Sequence, residues 1–397
     1  MTSRRTVIAG GAGAAVLAAL GYRAWDRGVF VSGEGPAYEA WQDWEGKGDT
    51  PVRRPLHAAI LASSAHNTQP WLFEPHEDSI TVYADLSRNL GAADPFRREL
   101  YVSIGCAVSN ALLIHGVHGE VAPLEIFDRT LTPDVPLSAV KAISLAVGRQ
   151  NILTERTSAH AEMRAAIPRR HTNRGPYVPD RVVTTEQAGR IYLSCYPYAA
   201  VKLVNASGAK KELGALIVEA TERFIADRQM SADSARYFRT GRREIEASRT
   251  GISSDTAGLS PLMNTLAKLM PDQDAATADK YWLASTQEVQ VPTAACFGVI
   301  LAGNRLTARE AMFTGMAWQQ LHLTATALGL AAQPMNQPIE MMDRDLLLGR
   351  KNDYAREIRR IAGVTEGDPA FIFRLGYAER PALPSPRRRL EDVIKKA

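Results

Sequence analysis

The chain is poor in cysteine. It has three in 397 residues, Cys106, Cys195 and Cys296, an odd number with no Cys-x-x-Cys pair. That excludes a disulfide framework and a zinc knuckle. Two of the three stand in strongly apolar stretches and read as small core residues. Metal-ligand spacing is missing too. His115 and His118 could share a helix face, but no third ligand follows at a suitable distance, so both read as core or surface histidines. Nor is there an excess of one charge: 47 Lys and Arg against 43 Asp and Glu leave a formal net charge of +4. The basic residues are dispersed apart from Arg236 to Arg249, where acids are interspersed, and Arg387-Arg388-Arg389. A nucleic-acid surface calls for a basic stripe with exposed aromatics on a recognisable module, and none is present. The Gly/Ala-rich stretch from Val7 to Leu20 has 14 residues, short for a comfortable membrane span of about 20. It holds no complete Gly-x-Gly-x-x-Gly, so a dinucleotide fingerprint is not supported. No constellation of catalytic acid, base and nucleophile stands out.

What is there begins with size. With 45% apolar residues the chain can bury one large core or two medium ones. At its start, Ser3-Arg4-Arg5-Thr6-Val7-Ile8 and the apolar stretch after it have the form of a twin-arginine export signal. Gly10, Gly11 and Gly13 argue against an ordinary buried helix there. Residues 1–28 are therefore read as a signal, or as an uncleaved N-terminal anchor because no clean Ala-x-Ala site follows. Export to the periplasm or cell envelope is expected, with any membrane association confined to this segment; a cytoplasmic location is the alternative. Residues 29–55, rich in Gly, Pro, Asp and Glu, read as an irregular lead-in.

Two distant motifs carry the functional signal. One is Ser63-Ser64-Ala65-His66-Asn67-Thr68-Gln69-Pro70-Trp71; the other is Arg169-Arg170-His171-Thr172-Asn173-Arg174. Between and beyond them lies an internal repeat. The apolar stretches from Gly105 to Gly119 and from Gly315 to Gly329 superpose with an offset of 210, matching Gly105/Gly315, Ala107/Ala317, Leu113/Leu323 and Gly119/Gly329. Each is apolar on nearly every face, as a central helix packed all round should be, and the closing glycine suits a C-cap. Pro369 to Tyr377 reads as a buried strand entering a turn, with Ala142 to Val147 as its counterpart in the first half.

Each motif resembles one half of the flavin mononucleotide (FMN) site of the nitroreductase family. That family's subunits are about half as long and build each site across a dimer interface. Here both halves lie in one chain, once each, which looks like the fused, Acg-type FMN-binding branch over most of residues 50–397. The resemblance implies an α/β (α+β) fold with two nitroreductase-like halves forming an internal pseudo-dimer, residues 29–165 and 166–397. Each half should be an antiparallel-rich sheet flanked by helices, in a monomer with a single flavin. It also implies that the long polar segment from about 228 to 274 acts as a lid. Such a glycine-punctuated stretch is expected to be mobile relative to the core; the bland alternative is a solvated loop remote from the site.

The resemblance further implies the site residues. Planar guanidiniums suit a phosphate dianion, so Arg170 and Arg174 are expected on the FMN phosphate, with His171, the Thr172 hydroxyl, and Arg387 or Arg389. Arg169 faces solvent. Asn67 carries both a donor and an acceptor for the flavin edge. Ser63, Ser64 and the neighbouring backbone reach the ring or ribityl chain, Gln69 braces the loop, and Trp71 packs. The backbone of Pro334, Met335 and Asn336 approaches flavin N5. A cofactor that carries the hydride explains why no protein acid or nucleophile stands out. The expected activity is electron transfer from a small-molecule donor, NAD(P)H among the candidates, to a flat acceptor such as a quinone or nitroaromatic. The alternative is a flavin-sequestering protein with a lid-blocked site.

Overall fold

In the computed structural model the described residues are 18–19, 21–115, 124–146, 158–271 and 273–395. The twin-arginine motif, the stretch 7–17, His118, Gly119 and Val147 lie outside them. Among the described residues, no helix is long and apolar enough to cross a membrane.

The fold is mixed α/β, with antiparallel sheets flanked by helices. The first sheet contains β1 (Trp71–Pro75), β2 (Ser79–Asp85), β3 (Leu124–Ile126) and β4 (Ala139–Ala146), in the order β1-β2-β4-β3. After β5 (Ala200–Val204) a two-residue parallel pair, β6 (Phe238–Arg239) and β7 (Ile252–Ser253), stands apart. The second sheet joins β5 to β8 (Cys296–Ala302), β9 (Ala331–Pro334) and β10 (Asp368–Gly376), in the order β5-β8-β10-β9. Setting β5, β8, β10 and β9 against β1, β2, β4 and β3 gives the same order, and every pairing in both sheets is antiparallel.

In each sheet a long helix follows the second strand: α1 (Arg98–His115) after β2, and α2 (Ala308–Ala327) after β8. The two helices pack on each other at the centre. A Cβ placed on Gly105 would lie 1.9 Å from the Met312 carbonyl oxygen, and one on Gly315 would lie 1.9 Å from that of Val102. The contact is reciprocal, because Val102 and Met312 are separated by the same 210 residues as the glycines. Only glycine allows backbones this close. Helix α2 is buried on almost every face, as its all-round apolarity predicts. An amide chain links it to α1: Gln319 Nε2 donates to Asn110 Oδ1 at 2.8 Å, and Asn110 Nδ2 to the Ala58 carbonyl at 2.8 Å. Gly329, at φ 73°, follows the last helical turn, as a C-terminal glycine should.

A buried charge cluster marks the start of α1. Asp94 accepts from the Glu99 and Leu100 amides at 3.1 and 3.0 Å, capping the helix. Arg98 is fully buried and donates to Asp343 at 2.7 Å and to the Ala370 carbonyl at 2.9 Å, while Glu99 accepts from Asn336 Nδ2 at 2.7 Å. Burial, reinforced by the Glu99 carboxylate, pushes Asp94 up to about 7, and burial raises Glu99 and Glu340 as well. An acid whose pKa is raised on folding binds its proton more tightly in the native state. Its stabilising contribution is therefore full below about pH 4, its unfolded value, and is lost as pH rises through about 7. Asp94→Asn keeps a capping oxygen and removes the ionisation. Its melting temperature relative to the parent should rise between pH 4 and pH 8; a difference that does not change with pH would sink this assignment.

The segment 228–274, polar and glycine-punctuated in composition, contains three helices. Helices Arg228–Ala235, Arg242–Ser248 and Pro261–Leu269 fill it, with the β6/β7 pair between them. Asp227 and Ser260 cap the first and third by accepting from backbone amides, the usual work of such residues at helix starts. The chain near the N-terminus straps this segment down. Arg23 Nε donates to the Leu269 carbonyl at 2.8 Å. Lys268, paired with Asp255 at 2.7 Å, donates to the Gly28 carbonyl and Ser32 Oγ at 2.9 Å each.

Candidate functional site

The loop 63–69 is held between the two central helices. The Ser63 amide donates to Gln319 Oε1 on α2 at 3.1 Å, and the Ala65 amide to Ser103 Oγ on α1 at 3.1 Å. Ser64 Oγ closes the loop by accepting from the Gln69 amide at 3.2 Å. Three of its residues are left-handed: His66, Asn67 and Gln69 at φ 48°, 54° and 52°. Such backbone costs of order 1 kcal/mol or more per residue and persists where the surroundings impose it, typically at functional sites. Trp71 is fully buried at the start of β1, a packing residue as expected.

The loop is covered. The Gly251 amide donates to the Asn67 carbonyl at 3.2 Å, and Asn67 Nδ2 to the carbonyls of Gly251 and Pro386 at 3.2 and 3.0 Å. Gln69 Nε2 donates to the Arg249 carbonyl at 2.7 Å while its Oε1 accepts from the Arg388 amide at 2.8 Å. Arg174 reaches the Thr256 carbonyl at 3.0 Å. The segment 228–274 is thus laid directly on both motifs, which excludes the remote-loop alternative. Gln69 does brace the loop, and also ties it to the segment above.

Two guanidiniums meet beneath this cover. Arg170 is 3% exposed and Arg387 2%. Both donate to the Leu61 carbonyl, at 3.1 and 3.2 Å. Arg387 also donates to Asn67 Oδ1 at 2.8 Å and Ser385 Oγ at 2.6 Å, and stands 4.6 Å over the Trp41 ring. His171 meets the same ring edge-on at 4.6 Å. Among the described residues neither arginine has a carboxylate partner. The Nε atoms of both, and His171 Nδ1, are buried without any hydrogen bond. The electrostatics follow: burial brings Arg170 down to about 10, and burial plus Arg170 lowers Arg387 strongly. Burial, then Arg170 and Arg387, holds His171 at about 3, so it is neutral at physiological pH. Buried charges are normally paired; this cluster has positive charge and unused donors, and its complement is an anion.

Arg389 points outward and pairs with Asp392 at 3.0 Å, and Arg169 is exposed. Thr172 is half-buried next to His171. Pro334 ends β9, paired with Phe373, and Met335 is fully buried with its amide on the Ile372 carbonyl at 2.8 Å. Asn336 bridges Glu99 and the Ile372 amide. Sequence reasoning missed Trp41, hidden in the lead-in, and His322, 3.4 Å from Arg170. It also missed the inward turn of Arg388, which donates to the Gln69 carbonyl at 3.1 Å. Asp392, three residues past Arg389, was the available signal for a solvent-facing pair.

Comparison with known proteins finds similarity to proteins that carry nitroreductase names. The chain is 27% identical over 383 residues, 92% of its own length and 96% of theirs, to two Mycobacterium tuberculosis proteins bearing the names "Putative NAD(P)H nitroreductase" Rv3131 and MT3217. No family profile matches the chain. Among solved structures it resembles the FMN-dependent nitroreductase NfnB from Mycobacterium smegmatis, crystallised with NADPH, at 20% identity over 60% of this chain and 98% of the other, with a TM-score of 0.38. A nitroreductase with bound FMN from Desulfitobacterium hafniense aligns at 15% identity over 59% of this chain and 98% of the other, with a TM-score of 0.34.

Proposed function

We propose that this chain is an FMN-binding oxidoreductase of nitroreductase type, moving electrons from a reduced donor such as NAD(P)H to a flat acceptor such as a quinone or nitroaromatic. The observation that carries it is the buried pair Arg170 and Arg387, with unused Nε donors and no carboxylate, under a strained loop. A phosphate dianion fits such a pair in charge, and the free Nε of each guanidinium can donate to it. In this reading Arg170 and Arg387 hold the phosphate, with His171 and Thr172 beside it. The 63–69 loop orients the ring, Trp41 stacks behind Arg387, and segment 228–274 excludes water. Bound FMN would supply the hydride chemistry. The protein's absorbance spectrum, followed by anaerobic titration with NADPH and NADH, tests this: a purified chain that neither carries nor takes up flavin overturns it.

The tandem arrangement belongs to the same reading. Matching strand orders in the two sheets and the reciprocal glycine contact support an internal pseudo-dimer. The expected stoichiometry is one FMN per monomeric chain, since each motif occurs once. Two flavins per chain, or a dimer by light scattering, would count against it. Ser3-Arg4-Arg5 and the stretch after it support export by the twin-arginine route, and a reporter fused behind residues 1–28 should leave the cytoplasm only while both arginines are intact.

A sequestering role is favoured by one observation, the direct hydrogen bonds that Asn67, Gln69 and Arg174 donate to carbonyls of segment 228–274. A cover tied down at this many points opens seldom, and lid opening limits turnover in many enzymes. Removing residues 236–270 spares the helix Arg228–Ala235. It should raise turnover with nitroaromatic or quinone acceptors at unchanged flavin content. Lower turnover would show instead that the segment builds the substrate pocket.

A further inference from the structure

A second arginine cluster lies on the outer side of the site loop, open to solvent. Arg88, Arg249, Arg388 and Arg389 line a cleft together with Glu246 and Asp392. Its walls come from three parts of the chain: the turn after β2, the end of helix Arg242–Ser248, and the C-terminal arm. Its two carboxylates are already engaged, Asp392 by Arg389 at 3.0 Å and Glu246 by Arg242 at 2.8 Å. Arg88 turns to Asp85 at 3.2 Å. Arg388 spends its Nη groups on two carbonyls, those of Gln69 at 3.1 Å and Asp392 at 2.7 Å. The Arg249 side chain makes no hydrogen bond or ion pair of its own among the described residues, and its backbone is left-handed at φ 53°. Four arginines against two carboxylates leave the cleft with a net positive charge; burial and Arg88 depress Arg388 to about 10, against the opposing pull of Asp85 and Asp392.

Behind this cleft, fully buried, lies Gln69, bonded to two of its lining residues. Arg388 binds its carbonyl and side-chain oxygen, and the Arg249 carbonyl binds its amide nitrogen. The cleft therefore stands one residue away from the loop that orients the ring in the reading above. We propose that it binds the phosphate-bearing part of the nucleotide electron donor, with Arg249 as the anchor and Arg388 adding positive charge beside it; this rests on the flavin reading. The chemistry separates the two arginine sites. A resident cofactor suits the buried pair, whereas a donor that must arrive and leave in each cycle suits an open cleft whose guanidiniums meet phosphate oxygens through charge-assisted bonds. Because Arg249 lies on segment 228–274 and Arg388 on the core, the occupant also fastens the one to the other.

The test uses the full chain, its flavin content read by absorbance, titrated calorimetrically with 2′,5′-ADP and separately with inorganic pyrophosphate. Asparagine tolerates left-handed backbone, so Arg249→Asn should fold. The expected result is saturable binding of 2′,5′-ADP that Arg249→Asn weakens at least tenfold, a KM for NADPH raised in step, and unchanged flavin content. Absence of 2′,5′-ADP binding to the parent chain, or unchanged binding in the variant, overturns the proposal. So does tight pyrophosphate binding without 2′,5′-ADP binding, which would make the cleft a site for free inorganic polyanions. A chain that binds no flavin yet loses 2′,5′-ADP affinity in Arg249→Asn would sustain the cleft and sink the flavin reading.

Discussion

Replacing Arg170 with methionine is expected to weaken FMN binding tenfold to a hundredfold while leaving the flavin-free protein at least as stable as its parent. The two effects have opposite signs because the guanidinium serves the ligand and not the fold. In the folded chain Arg170 is buried with one carbonyl and one imidazole as partners, no carboxylate, and an unpaired Nε. A buried cation without an anion is destabilising, and an apolar side chain of similar length in its place is often neutral or stabilising. Against the phosphate the same group makes charged hydrogen bonds worth about 1.5–3 kcal/mol, which is about one to two decades of affinity. Arg387 is a poorer choice, since it also supports Asn67, Ser385, Leu61 and Ala62. Fluorescence titration with FMN, alongside thermal denaturation without it, reads both signs. Unchanged affinity, or a large loss of stability in the flavin-free protein, would show that Arg170 is a structural residue.

The second large effect concerns the crossing of α1 and α2. Gly105→Ala and Gly315→Ala should each cost roughly 3–5 kcal/mol, at the upper end of what single substitutions do. The added methyl would meet a backbone carbonyl, at 1.9 Å in both cases, and backbone cannot turn aside as a side chain can. Relief requires the helices to separate, which would loosen the packing of Trp318 on Phe371 and Phe373, whose ring centroids lie 4.8 and 5.4 Å away. Because the contacts are reciprocal, the two losses should be similar. Denaturant unfolding gives both; a loss below about 1 kcal/mol at either position would mean the crossing yields easily.

What the sequence disclosed was local chemistry, and what it concealed was partnership. The central helices were legible because apolarity on all faces has one explanation, and Gly105 and Gly315 because their neighbours repeat. The motif around Arg170 was legible by residue type. Which arginine of the 387–389 run turns inward was not, because that depends on Leu61 and Asn67, more than 300 residues away. The bridge that the Asn336 side chain makes between Glu99 and the Ile372 amide was not legible either, since neither partner leaves a mark near it in the sequence. Trp41 sits in a stretch without periodicity, and its role appears only once Arg387 lies beneath it. The helices of segment 228–274 escaped a reading by composition, although Asp227 and Ser260 stood at their starts as caps.

The strap across that segment has a consequence for the order in which the molecule is made. Arg23 and Gly28 emerge from the ribosome well before their partners, Leu269 and Lys268, which follow about 240 residues later. At synthesis rates of about 5–20 residues per second the interval is tens of seconds at least on the slower side. Closing so long a loop also costs entropy before any contact repays it. Arg23 and Gly28 thus wait for these partners, and their ties to the cover form only after its far end has been made.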